Sequence, residues 1–266
     1  MTEVCTVVPL TSNEELREVL ALQRAAWGLD DLSLVPPHIF IAISKAGGMV
    51  LGAYSGSKLV GFILGIVSRD DRDGSMYLTS HMMGVHPEWQ SRNVGFTLKR
   101  AQGTWARTHG IPIVRWTFDP METRNANLNI RKLGGRVIQF VPDYYGTSVG
   151  SDLQRGLPSD RFVVEWNTEL EEQINSPRKG ELTISLSENT ITPRLDLFEG
   201  TSIQSAQIPV PLNFQQLKQT NFERAAQWQR AVGAVCSELL RDRTMWISGF
   251  HRDTSAGIGY YVITLR

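Results

Sequence analysis

From Met83 to Leu98 the chain reads MGVHPEWQSRNVGFTL: an apolar stretch stops at Val85, a polar turn follows, and a helical pattern begins at Gly95. This step constrains the fold more than any other segment. A strand, a tight turn and a helix start together aim backbone N–H groups and the positive end of a helix dipole at one point, which suits a pyrophosphate. Gly95 lets an anion approach the backbone closely, Asn93 tolerates a left-handed conformation nearly as well as glycine, and Arg92 can add a charge-assisted contact. An ordinary strand–turn–helix connection has the same outline, so the segment alone leaves both readings open. Two nucleotide alternatives fail. The chain has no GxxxxGK[ST] loop, and its glycines do not follow GxGxxG after a first strand.

The flanking pattern supplies the rest of the layout. Ser12-x-x-Glu15 is a capping box ahead of Leu16, Val19, Leu20 and Leu22 at helical spacing. Pro36-Pro37 opens a second helix, and Gly47-Gly48 stops it. Strands are predicted over 49–54 and 58–68, joined at Ser55-Gly56-Ser57, and over 76–85 after the turn Asp70-Asp71-Arg72-Asp73-Gly74. A helix from 95 to about 109 places Leu98, Ala101, Trp105 and Ala106 on one face. A strand at 113–118, a short helix at 124–133 and strands at 136–141 and 161–166 follow. The order β-α-α-β-β-β-α-β-α-β-β implies an α+β fold with a mixed central sheet flanked by helices. A weaker boundary falls at Asn175-Ser176-Pro177. Beyond it the pattern predicts a strand at 181–186, a loop holding Pro193, Pro209 and Pro211, a helix at 221–241, and strands at 244–250 and 259–265. The expected domains are therefore 1–172 and a small α/β extension, 173–266, packed on it.

Composition excludes several classes. The 266 residues carry 27 Lys+Arg against 27 Asp+Glu, so a broadly basic nucleic-acid or membrane-surface binder is not expected. The longest apolar run, 59–67, is half a membrane span and contains two glycines. Cys5 and Cys236 lie far apart with no metal-ligand spacing, and the N-terminus lacks the blocks of a signal peptide. A reduced, cytoplasmic protein without a metal is the expectation. The neutral total hides one imbalance: residues 88–136 hold nine Lys+Arg and three acids, an excess of six positive charges around the candidate anion site.

Gln90-x-x-Asn93-x-Gly95 resembles the Gln/Arg-x-x-Gly-x-Gly/Ala motif of the GCN5-related N-acetyltransferase (GNAT) superfamily. The strand ending at Val85 and Pro87, and the later Ala126…Lys132-Leu133-Gly134, fall where that superfamily has them. The resemblance covers about residues 1–170. The segments SHMMGVHPEWQSRNVG, WTFDPMETRNANLNIRKLGG and GLPSDRFVVEW look like a bacterial group with its own C-terminal extension.

The resemblance implies an N-acyltransferase that uses acetyl-CoA by default, with succinyl or another acyl-CoA open, and needs no metal. The acceptor would be the amine of a small metabolite such as an amino acid, attacking the thioester directly. The pantetheine would pair with backbone at Met83 and Val85, and the Val85 N–H would hold the thioester oxygen as charge develops on it. The backbone of Gln90, Ser91, Arg92, Asn93, Val94 and Gly95 would hold the pyrophosphate, with Asn125 near the CoA arm or acting as a helix cap. His81, on the strand face of Met83 and Val85, is either the general base, since one member of the superfamily has a histidine at the corresponding place linked to water-mediated deprotonation, or a hydrogen-bonded core histidine. Asp119 and Glu122 are alternative bases, amine-binding carboxylates, or loop caps. The superfamily's usual acid, a tyrosine two residues before the Lys-x-Gly lysine, is Ile130 here, so either Tyr145 or Tyr144 would reach the thiol from another direction or the thiolate would leave without enzymic protonation. A non-catalytic acyl-CoA-binding protein is the alternative function, and a homodimer element the alternative use of the extension.

Overall fold

The computed structural model describes residues 5–28, 33–146, 156–170, 182–183 and 205–266. The predicted boundary at 175–177, the loop around Pro193 and all of the predicted strand at 181–186 except Leu182–Thr183 lie outside these. The chain groups into two compact units, Met1–Trp116 with Asn167–Glu171, and Thr117–Trp166 with Glu172–Arg266.

In the first unit the elements are β1 (Thr6–Pro9), α1 (Asn13–Trp27), α2 (Pro37–Lys45), β2 (Met49–Ser55), β3 (Lys58–Arg69), β4 (Met76–Val85), α3 (Val94–Thr108) and β5 (Ile113–Phe118), whose last two residues pass into the second unit. The sheet is mixed: β1 to β4 are antiparallel neighbours in sequence order, and β5 lies parallel to β4. The Ser12 cap forms as its spacing predicts, with the Glu15 N–H donating to Ser12 Oγ and the Ser12 N–H donating to Glu15 Oε2. The Ser12 N–H, the Thr11 N–H and the Ser12 hydroxyl all donate to Glu15 Oε2 and hold that carboxyl below its ordinary pKa. α1 then buries Leu16, Val19 and Leu22 with Phe40 of α2 against Val50, Phe62 and Leu64 of the sheet.

Alternate residues of β3 face the other way, toward α3. A Cβ on Gly61 would stand 2.9 Å from Val94 Cγ1 and 3.0 Å from Leu98 Cδ1, so the missing side chain is what lets the start of α3 lie against the strand. At the opposite end of β4, Asp70 accepts from Arg72 and from Arg115 of β5, with Arg115 Nη1 at 2.7 Å. Arg115 also stacks over Tyr77 of β4, its Cζ 4.4 Å from the ring centroid. This cluster ties the first half of β5 to the β3–β4 turn.

In the second unit α4 (Thr123–Ala126) runs into a wider π-helical turn at Asn127–Lys132, where the sequence predicted one α-helix over 124–133. β6 (Arg136–Val141), β7 (Arg161–Asn167, whose last residue belongs to the first unit), β8 (Leu182–Thr183), β9 (Ser205–Pro211), α5 (Phe214–Thr220), α6 (Phe222–Leu239), β10 (Met245–Asp253) and β11 (Ile258–Leu265) complete it. β6 pairs antiparallel with β7 and β10, β11 with β10 and β9, and β8 adds parallel to β9. β9 is the strand missed by sequence, because Pro209 and Pro211 read as breakers. Residues 117–166 group with the C-terminal segment for identifiable reasons: Val137 pairs with Ile247, Phe162 meets Tyr261 edge to face, and Thr123 Oγ1 donates to the Leu212 carbonyl. The division read from composition at 172/173 follows the chain; this one follows contacts.

Gly61→Val should force α3 away from β3 and cost about 1–3 kcal/mol, the usual range for overpacking, measured by urea denaturation.

Candidate active site

β4 ends at Val85, and a single 3₁₀ turn at Pro87–Trp89 reverses the chain. Gln90 is extended, and its Nε2 donates back to the Val85 carbonyl at 3.4 Å. Ser91 and Asn93 then both adopt left-handed conformations, with φ of 63° and 65°. Asn93 matches the expectation from its tolerance of that region; Ser91 carries no such signal. The first α-helical bond of α3 runs from the Thr97 N–H to the Asn93 carbonyl, 2.9 Å. The N–H groups ahead of it lie outside the helix ladder, at the positive end of a helix of 15 residues. Ser91, Arg92 and Asn93 are exposed, and Gly95 is half-buried. The Arg92 guanidinium lies 5.1 Å from the Trp89 ring centroid.

The edge of β4 continues this surface. The His86 N–H donates to the Val60 carbonyl, so by antiparallel alternation Gly84 bonds toward β3, while the N–H groups of Val85 and Met83 point to the opposite edge. On that edge β5 pairs only at Leu78↔Val114 and Thr79↔Arg115, and β4 runs on to Val85 without it. The result is a V that opens toward the Gln90–Gly95 turn.

The register of β3 against β4 shifts between Leu64 and Gly65, which pair with Met82 and Ser80. His81 is the extra residue of a β-bulge. The alternation read from sequence put His81 on the face of Met83 and Val85; the bulge instead gives that face, the one toward α3, to Leu78, Ser80, Met83 and Val85. His81 is exposed, yet the protein around its ring lowers its pKa by desolvation.

Four of the nine basic residues counted over 88–136 have settings of their own. Lys99 is buried, Arg115 is paired with Asp70, Arg107 donates to the Thr168 carbonyl at 2.6 Å, and Arg136 stacks on Trp246. Arg92 is the one that stands in the turn itself. Sequence reasoning also missed the group around Lys99. Its Nζ donates to Ser80 Oγ at 2.8 Å and to Gln102 Oε1 at 3.4 Å, and lies 3.6 Å from the Trp116 ring centroid. The available signal was spacing: Lys99 and Gln102 continue the buried stripe of Val94, Leu98 and Ala106.

The remaining predicted residues lie in the second unit. Asp119 follows β5; its Oδ1 accepts the Met121 N–H at 2.8 Å, and Oδ2 lies 3.8 Å from Arg161 Nη1. Burial raises its pKa to about 6, against the pull of that N–H bond and of Arg161. Glu122 Oε1 accepts from Gln215 of α5 at 2.6 Å, and Lys218 of the same helix has its pKa lowered by burial while both carboxylates act to raise it. Glu122, not Asn125, holds the N-cap position of α4, and Asn125 is exposed on the helix. Tyr144 and Tyr145 are exposed, the Tyr145 N–H donates to Ser159 Oγ, and Arg161 lies 5.1 Å from the Tyr145 ring centroid. Ile130 is buried. Among the described residues no group of three or more His, Cys, Asp or Glu is placed to hold a metal, and no helix is long and apolar enough to cross a membrane.

The model of the acetyltransferase (GNAT) family matches residues 14–134. No curated protein matches the sequence. Similar solved structures include Arabidopsis thaliana Naa50 in complex with the bisubstrate analogue CoA-Ac-MVNAL, 14% identical, covering 60% of this chain and 97% of that one, TM-score 0.47. Another is the ribosomal-protein-S18-alanine N-acetyltransferase from Escherichia coli, 14% identical, covering 64% and 97%, TM-score 0.49. A third is an acetyltransferase of the GNAT family from Streptococcus pneumoniae, 15% identical, covering 61% and 98%, TM-score 0.48.

The Asp119 carboxyl should titrate near pH 6 by carbon-detected NMR. Because Arg161 favours its charged form, Arg161→Met should move that midpoint upward.

Proposed function

We propose, from the match of residues 14–134 to the GNAT acetyltransferase family model, that the chain transfers an acyl group from acyl-CoA to the amine of a small metabolite such as an amino acid. The family assignment supports acyl-CoA-dependent N-acetyl transfer as the reaction class; acetyl is the proposed donor, with succinyl the alternative. The observation that carries the reading is the turn from Gln90 to Gly95, where two left-handed residues precede the start of α3. Backbone N–H groups there suit the two phosphates of CoA. Met83 and Val85, with N–H groups on the open edge of β4, would hold the pantetheine as an added strand, and the Val85 N–H would meet the developing oxyanion. Asn125 would contact the CoA arm.

For deprotonation, His81 and Asp119 are both suited. The lowered His81 pKa keeps the ring neutral, and so able to accept a proton, at pH 7. Asp119 with its pKa near 6 is also a base at pH 7, and with Glu122 forms a carboxylate pair that attracts an ammonium. Tyr145 is the tyrosine proposed to face the reacting centre. Buried Ile130 in the place of the usual acid favours the second reading, an acyl-CoA-binding protein without turnover.

The test is release of free CoA from acetyl-CoA and succinyl-CoA over a panel of amines. Turnover of at least one amine is expected; tight CoA binding with no turnover over a broad panel selects the second reading. Gly95→Glu, which adds bulk and negative charge at the phosphates, should abolish CoA binding in a calorimeter. If His81 is the base, His81→Ala lowers kcat by about 10²-fold at neutral pH and removes the acid limb of the pH–rate profile. If Asp119 is the base, that limb, with a midpoint near 6, survives in His81→Ala and is lost in Asp119→Asn.

A further inference from the structure

Two glycines on neighbouring strands, Gly61 of β3 and Gly84 of β4, let other elements lie on the backbone at the end of β4, one from each face. Gly61 pairs with Val85. Val94 Cγ1 and Leu98 Cδ1 stand 2.9 Å and 3.0 Å from where its Cβ would be, so α3 begins over the Gly61–Val85 pair. Gly84 pairs with Phe62. A Cβ there would stand 2.7 Å from Phe62 Cε1 and 3.3 Å from Trp27 Cη2, so on the opposite face two rings lie on the strand itself. Phe62 is fully buried, with Phe40 edge to face on it at 6.0 Å between centroids and Trp27 at 5.8 Å. Trp27 ends this row of rings and is only partly buried.

The indole is held where it stands. Trp27 is the last residue of α1, which Gly28 stops in a left-handed conformation with φ of 65°. Gln23, one turn earlier, is fully buried; its Nε2 donates to the Val35 carbonyl at 3.0 Å and its Oε1 accepts the Val35 N–H at 2.9 Å. Met82, which pairs with Leu64 on the same face as Gly84, is partly buried against the same cluster.

This placement bears on the direction of attack. A thioester that pairs with the Val85 N–H as an added strand keeps its carbonyl close to the plane of the sheet. A nucleophile adds across a carbonyl plane rather than within it, so the amine must come from one sheet face or the other. At the level of Val85 one face is taken by the start of α3. On the other, Gly84 has no side chain, and one Cα–Cβ bond added to the 3.3 Å puts Trp27 Cη2 within about 5 Å of the Gly84 Cα. The Gly84 carbonyl carbon is bonded to the Val85 nitrogen, so the carbon skeleton behind an attacking amine passes the indole and Met82.

We propose that Trp27, with Met82 beside it, is the specificity-determining residue for the acceptor, and that it selects an amine with an apolar side group, such as an amino acid with an apolar side chain. The proposal rests on the acyl-CoA reading above and narrows its acceptor. An indole and a thioether reward apolar surface brought against them. A hydroxyl, amide or carboxylate in the same place would lose water without gaining a strong partner from either. Trp27 meets the skeleton and not the reacting atoms, so the acyl-transfer chemistry does not depend on it.

The test follows CoA release from acetyl-CoA with two matched pairs: leucine against asparagine, which has nearly the same shape, and 2-phenylethylamine against 2-aminoethanol. Wild type should favour the apolar member of a pair by about tenfold or more in kcat/KM. Trp27→Ala should bring that ratio near one, chiefly by raising the KM for the apolar amine, with the KM for acetyl-CoA within about twofold. Trp27→Phe, which keeps a ring against Phe62, should retain part of the preference. A merely structural role would lower both members of a pair alike and leave the ratio unchanged. Thermal melts identify a variant that fails to fold, and Trp27→Phe then carries the comparison. Wild type that binds no CoA overturns the acyl-CoA reading and the inference with it. CoA binding with turnover of none of the four amines overturns the inference and leaves CoA binding standing. Turnover with a ratio near one or favouring the polar member, or a ratio unchanged in the folded Trp27 variants, overturns the inference alone.

Discussion

The rest of the first unit depends on two parallel strands that pair briefly and then part. β4 and β5 share only Leu78↔Val114 and Thr79↔Arg115, after which backbone hydrogen-bonding capacity on β4 faces an opening. Exposed strand edge normally invites another strand. Here the opening is maintained from both ends. Asp70 gathers Arg72 and Arg115 at the closed end and fixes where β5 begins, while the bulge at His81 bends β4 and resets which side chains look toward α3. Gly61 completes the arrangement by letting the start of α3 settle on β3, so the turn from Gln90 to Gly95 arrives beside the open end. The anion site proposed at the helix start and the extended ligand proposed on the strand edge would thereby be continuous.

Electrostatics in this protein are local. The sequence carries a positive window over 88–136, yet four of its nine basic residues have separate destinations: a buried hydroxyl and indole for Lys99, a carboxylate for Arg115, a backbone carbonyl for Arg107, an indole for Arg136. The anion site proposed at the turn would draw chiefly on backbone geometry, with Arg92 beside it. The second unit follows the same logic with opposite sign. Asp119 and Glu122 sit with Arg161, Gln215 and Lys218, and burial rather than pairing sets the protonation of Asp119.

Features with local causes were legible in the sequence. The Ser12 cap, the start of α3 and the left-handed Asn93 each follow from a residue type and its immediate neighbours, and the structure has them where spacing placed them. Features set by a partner strand or by tertiary burial were not. The bulge at His81 is defined only against β3, so counting by twos along β4 put the histidine on the wrong face. Lys99 and Gln102 look like the solvated side of a helix until Ser80 and Trp116 are brought to them. β9 failed for a related reason: its buried Ile208 and Val210 alternate with prolines, and two prolines outweighed the alternation.

Those prolines settle one more property. The Leu212 N–H donates to the Gly257 carbonyl, so residues of the same parity on β9, Ile208 and Val210, bond toward β11, while Pro209 and Pro211 fall on the positions whose N–H would point outward. β8 pairs with β9 only at Ala206 and Gln207, short of both prolines. That stretch of border thus presents acceptors without matching donors, which a neighbouring chain cannot extend into a regular ladder. The same residues that hid the strand from a sequence reading leave this stretch of β9 without outward N–H donors.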